Sequence, residues 1–145
     1  MLPRWHIFWG AVFTAILYYY IPNAGRLNLF LVFLASFLID FDHYFNGLIK
    51  NKAWTLKANF KYHNKKRIEE EKDIKREIKK RGDFHLFHTI EFHTLVGLLG
   101  LLWVGFFYIF IGMVFHSLLD IIYLSKTGKM HRREFIFFNW LAKKI

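Results

Sequence analysis

The sequence has no cysteine. Disulfide frameworks, thiolate metal sites and cysteine nucleophiles are therefore excluded. Acidic residues are scarce, eleven against 21 Lys and Arg, which leaves a formal charge of +10. There is no internal repeat and no low-complexity tract. What the chain has in excess is apolar and aromatic: 54% hydrophobic residues and 21% aromatics in 145 residues. One domain is the expected size, and its aromatics outnumber what a soluble core this small can bury.

The basic charge is concentrated. Thirteen Lys/Arg face six Asp/Glu between Lys50 and Phe84, and six more basic residues follow Leu124 against Glu134 alone. Between these segments lie apolar runs of membrane-crossing length. A crossing takes about 20 residues at 1.5 Å rise each. The pattern predicts an all-α, integral membrane four-helix bundle forming one domain, with membrane helices at about residues 5–21, 27–49, 85–104 and 106–124. Pro22 closes the first run and Gly105 marks the turn within the long third block. The first run begins like a signal peptide, but Tyr18–Gly25 is a poor small-residue cleavage site.

All basic residues except Arg26 fall on one side of this arrangement. The positive-inside rule makes that side cytoplasmic, with both termini in the cytoplasm of a multi-pass protein of the cell membrane. Residues 50–83 form a charged cytoplasmic insertion. Trp54, Phe60 and Tyr62, interleaved with Lys57 and Lys61, suit the headgroup region. Asn64 to Arg81 reads as a charged helix with Glu71/Lys75 and Glu77/Arg81 four apart and Gly82 as its stop. The bilayer is the expected partner, with anionic headgroups as a contact for residues 50–83. The charge is mixed and nothing reads a base edge, so no specific nucleic acid is expected.

Asp40, Asp42, Glu91 and Asp120 lie within or at the ends of the apolar blocks, as do His6, His43, His85, His88, His93 and His116. An Asp at a membrane helix centre costs roughly 2.5–3.5 kcal/mol, so several together require pairing, water or a metal. Counted from the outer turns, these residues fall about 17–26 Å deep, in one layer toward the basic side. Histidine and carboxylate without thiolate suit zinc, manganese or non-haem iron. His116/Asp120, four apart, and Asp40/His43, three apart, can each aim at a common ion. Asp42 lies about 200° from Asp40, and His93 about 140° from His88, on an ideal helix. Either a helix unwinds there or the ligands serve more than one ion, and the number of ligand-type side chains favours the second. His85 reads equally as a ligand or a juxtamembrane residue, and His63 and His131 as solvated.

These residues resemble the motifs of the YdjM-like family of membrane-bound metal-dependent hydrolases. Its early His-x3-Gly corresponds to His6 and Gly10, its Asp-x-Asp-His to Asp40, Asp42 and His43, its His-x4-His to His88 and His93, and its His-x3-Asp with a following Gly to His116, Asp120 and Gly128. The family's Arg-Gly within the third motif is replaced by Thr89 and Ile90, and Glu91 is an acid that its pattern does not demand. The family is distantly similar to the helical zinc phospholipase C and nuclease fold. The resemblance implies phosphoester or lipid hydrolysis at the cytoplasmic leaflet. His6, Asp40, Asp42, His43, His88, His93, His116 and Asp120 would hold two or more divalent ions, zinc first, with Glu91 and Asp42 as the catalytic carboxylates. Other classes use the same residue types: a metal or proton transporter, a bis-His haem protein, or a metal-stapled adaptor without activity.

Overall fold

The computed structural model describes residues 3–52 and 54–143, together with the helical backbone but not the side chains of residues 50, 51 and 56. Among the described residues all regular structure is helical: α1 (Pro3–Tyr20), α2 (Arg26–Leu38), α3 (Phe41–Asn51), α4 (Leu56–Lys75), α5 (Ile90–Leu99), α6 (Val104–Lys126) and α7 (Phe137–Ala142), with three single 3-10 turns between them. The all-α expectation holds.

Pro22 ends α1, because a residue before proline is pushed out of the helical region, and Gly25 at φ 80° reverses the chain into α2. α2 is the central helix and packs chiefly on α6 and α1, while α5 packs on α6. Two glycines allow these close approaches. A Cβ on Gly10 of α1 would strike the Ser36 hydroxyl of α2, and one on Gly112 of α6 would strike the Val32 carbonyl and come within 2.8 Å of Ala35 Cβ. The apolar core is small: Ala35, Ile39, Val96 and Met113, surrounded by half-buried aromatics such as Phe87, Phe92 and Phe110.

The outer surface is apolar as well. Phe8, Phe30, Leu98, Phe107 and Leu118 are each about half exposed. A soluble monomer rarely shows so much apolar area. Two helical segments are long and apolar enough to span a membrane, Arg26–Ile49 and Val104–Lys126, with only 33% and 28% of their apolar windows buried.

The fourth expected span, residues 106–124, lies within α6; the first, in α1, is not among the two segments of spanning length and hydropathy, and the third differs from the structure. α5 has ten residues, about 15 Å, half a hydrocarbon core. It starts at Ile90 because Thr89 takes an extended backbone and caps the helix, its Oγ1 accepting from Phe92 N. The turn falls at Gly100–Trp103, not at Gly105, which lies inside α6 beneath the Trp103 ring. The charged helix is displaced too. α4 starts at Leu56, where Thr55 Oγ1 accepts from Ala58 N, and ends at Lys75. Glu77 has φ 57°, so the expected Glu77/Arg81 helical pair does not form. Pairs that do form within that region include Arg67–Glu71 at 3.9 Å and Lys80–Asp73 at 3.2 Å.

Candidate metal centre

Five segments deliver ionisable side chains to one buried cluster: His6 from α1, Asp40 from the α2–α3 junction, Asp42 and His43 from α3, His85 and His88 from the turn before α5, and His116 and Asp120 from α6. His6 and His116 are 0% exposed, Asp120 2% and His88 4%. The rings of His6 and His116 stack at 3.8 Å with a 13° tilt.

Neither Asp40/Asp42 nor His88/His93 sits on one ideal helix. Across Ile39–Asp40 the backbone bonds tighten to three-residue steps, Asp40 N to Phe37 O and His43 N to Asp40 O, which separates α2 from α3. That step brings Asp40 and Asp42 against the same imidazole: His88 Nε2 lies 3.5 Å from Asp40 Oδ1, and its Nδ1 3.0 Å from Asp42 Oδ2. His88 itself lies in a 3-10 turn, so helical angles do not relate it to His93. The local unwinding that the sequence left as the weaker alternative is present at both places.

The protons on two rings follow from their partners. His116 Nδ1 is 2.8 Å from the Ser36 carbonyl, which can only accept, so Nδ1 carries a hydrogen and donates it. His88 Nδ1 donates to Asp42 in the same way. The remaining nitrogens, His88 Nε2 and His116 Nε2, face each other at 3.2 Å. In neutral rings both carry bare lone pairs, which repel unless a proton or a cation lies between them. Asp40 Oδ1 is 3.4 Å from His116 Nε2, and Asp120 Oδ2 is 3.7 Å from it and 3.8 Å from His88 Nε2. Four donor atoms thus lie within 4.8 Å of one another. Tetrahedral zinc with nitrogen and oxygen ligands near 2.0–2.1 Å needs donor separations of about 3.3 Å. The donor set fits a divalent cation.

A second group, Asp42, His43 and His88, satisfies the same 4.8 Å condition. His85 Nδ1 adds a contact to Asp42 Oδ1 at 3.3 Å and one to Asn46 Nδ2 at 3.2 Å. His6 Nε2 stands 3.3 Å from Asp120 Oδ1, at the edge of the first group, and both His6 nitrogens are buried without a well-formed hydrogen bond.

Asp120 has a further partner. Arg133 Nη2 donates to Asp120 Oδ2 at 2.8 Å, so the carboxylate oxygen nearest His88 and His116 is already charge-paired. Arg133 belongs to a strap, residues 129–136, that runs back over the cluster. Its backbone carbonyls accept from Gly82 N, through Arg132, and from Ile90 N, through Phe135.

Two expected residues stand apart. His93 is buried with Nε2 unpartnered, yet it belongs to neither donor group. Glu91 turns away from both groups: its carboxylate accepts from Phe137 N at 2.9 Å and Phe138 N at 3.3 Å, the cap position of α7. In place of general-base geometry, Glu91 has the geometry of a helix anchor. Glu91→Gln is expected to loosen α7 by about 1 kcal/mol and leave metal content unchanged. Proteolysis at residues 134–142 compared with elemental analysis checks this, and a lost metal would restore Glu91 to the centre.

His63, read from the sequence as solvated, lies instead against α3, with Nε2 2.9 Å from the His43 carbonyl. His131 is exposed as expected. Beyond the apolar helices, Lys66 is half-buried; burial opposes its charge, but the adjoining Asp83 carboxylate outweighs this and raises its pKa above the ordinary lysine value.

No family model, curated protein or solved structure matches this chain.

Proposed function

We propose that this chain is a membrane-embedded, metal-dependent hydrolase acting on a phosphoester or lipid-type substrate at the membrane face bearing its basic residues. The observation that carries the reading is the pair of inward-facing imidazole nitrogens, His88 Nε2 and His116 Nε2, with two carboxylates beside them. Asp40, His88, His116 and Asp120 would hold one divalent ion, zinc being the best match to four mixed nitrogen and oxygen donors. Asp42 would act from behind, because the Nδ1–H of His88 is spent on it and Nε2 faces the first ion, so His88 would not serve a second. The multi-pass membrane setting is supported by two helices of spanning length and by the exposed apolar faces around the cluster.

A divalent ion supplies Lewis acidity and acidifies water toward a pKa of ~7. The protein's own groups arrange the rest. Ser36 and Asp42 fix the tautomers of His116 and His88, so that each presents Nε2 inward. His43, with its side chain 34% exposed and Nε2 3.5 Å from Asp40, is the member of the cluster that solvent reaches most readily, which suits moving a proton in or out. Asp42, shared by His85 and His88, orients both rings.

The Arg133–Asp120 ion pair favours one alternative, a bundle stapled by protons and ion pairs and serving as an adaptor. Metal analysis of the purified chain separates the two. At least one divalent transition ion per chain, and hydrolysis in a phosphoester screen abolished by chelation, is the expected result. A preparation that holds no such ion and takes none up ends the metal reading and leaves the adaptor.

A further inference from the structure

A polar cavity of about 340 Å³ adjoins the histidine cluster. His43 and His85 form its wall on the cluster side; Lys66, Lys129, Arg132 and Arg133 line it elsewhere, together with the carboxylates of Glu70, Glu71 and Asp83. The two arginine side chains are each only 10% exposed. Arg132 approaches Glu70 through Nη2 at 3.7 Å, while its Nε and Nη1 are buried with no hydrogen-bond partner among the described residues. Arg133 gives Nη2 to Asp120, and its Nη1 is equally unmatched. Lys66 differs, because its ammonium is taken by Asp83.

A buried guanidinium N–H without an acceptor is costly, since the group has lost water and gained nothing in return. Three such nitrogens on adjacent residues, with the ammonium of Lys129 nearby and in no ion pair among the described residues, call for an anion with at least three acceptor oxygens. A carboxylate offers two oxygens and one charge. A phosphate group offers more oxygens and up to two charges, and guanidinium forks match its geometry. The volume lies at the small end of ligand pockets and is enough for a phosphorylated headgroup.

We infer that Arg132 and Arg133, with Lys129, form a phosphate-binding subsite beside the metal centre, so that the substrate is an ester carrying a phosphate group. The substrate assignment rests on the reaction centre proposed above, whereas the subsite itself is measured without it.

The full chain in detergent micelles, freed of divalent ions by chelation, is titrated calorimetrically with inorganic phosphate and, separately, with acetate. Saturable phosphate binding is expected, with acetate failing to compete at equal ionic strength. Arg132→Gln should weaken phosphate roughly tenfold to a hundredfold. Arg132→Lys should recover only part, because an ammonium lacks the fork. The Arg132 carbonyl bond to Gly82 survives both changes. Lys129→Gln, in a loop, gives a fold-neutral check and should weaken phosphate by about two- to fivefold.

Phosphate bound no tighter than acetate, or bound equally by all three variants, overturns the subsite. Glycerol phosphate and vesicles containing phosphatidic acid distinguish the sources. Arg132-dependent binding of either supports the subsite, and the tighter one tells whether the ester is soluble or bilayer-borne. Metal uptake with no Arg132-dependent phosphate binding removes the subsite alone. Arg132-dependent phosphate binding in a chain that never takes up metal removes only the hydrolase reading.

Discussion

Replacing His116 by alanine is expected to abolish metal retention, with affinity falling on the order of a hundredfold or more. Loss of an outer partner alone costs roughly ten- to a hundredfold at metal sites, and this substitution removes a proposed inner donor that also has a structural part. His116 is fully buried, stacked on His6, and tied to α2 by its bond to the Ser36 carbonyl. Its loss leaves Asp40 and Asp120 without the imidazole that stands 3.4 Å from one and 3.7 Å from the other. Elemental analysis of the purified variant reads the outcome directly. His116→Gln, which keeps bulk and a polar tip, separates ligand loss from collapse: a folded variant without metal is the expected result, and one with wild-type metal content would exclude His116 from the centre.

The second large effect is structural. Gly112 lies where α6 meets α2, and any side chain there meets the Val32 carbonyl and Ala35 Cβ. Both obstacles belong to a packed backbone and its first carbon, so neither can swing aside. Gly112→Ala should cost about 1–3 kcal/mol, the usual range for overpacking, and Gly112→Leu should prevent accumulation of folded protein. Because Gly112 is one helical turn from His116, separation of α6 from α2 also stretches the His116–Ser36 bond. Thermal unfolding in detergent, with and without added zinc, reads both effects. An unchanged midpoint in Gly112→Ala would mean that the two helices cross elsewhere.

How much of this was legible in the sequence depended on whether a residue's position follows from spacing along one helix. His116 and Asp120, four apart on α6, could be placed on one face from the sequence alone, and the structure brings both to the cluster. Asp40 and Asp42 could not be, because the three-residue bonding step at Ile39–Asp40 has no proline or glycine to announce it. His88 and His93 misled for a similar reason: Thr89 starts a new helix between them, and its capping role is visible only once the helix is known to begin there. At Glu91 the sequence offers an acid near the membrane that looks functional, whereas the structure gives its carboxylate to backbone amides forty-six and forty-seven residues away. Arg132 and Arg133 were read only as topology signals. Nothing periodic links Arg133 to Asp120; the link comes from the turn at Gly128, φ 67°, which returns the chain over the cluster. The extent of the apolar blocks predicted helices well, but predicted length poorly where polar caps shortened α5.

The order in which the cluster's parts lie along the chain has a consequence for biogenesis. Asp40 and Asp42 are synthesised more than forty residues before His85 and His88, and Arg133 comes after every other member. During insertion these two carboxylates therefore have only His6 and His43 for company, and each costs roughly 2.5–3.5 kcal/mol if it enters the hydrocarbon unpaired. On the membrane reading proposed above, the α2–α3 junction would stay at the water-facing surface until the turn before α5 and α6 itself supply His85, His88 and His116. The strap, synthesised last, would then bring its arginine to Asp120.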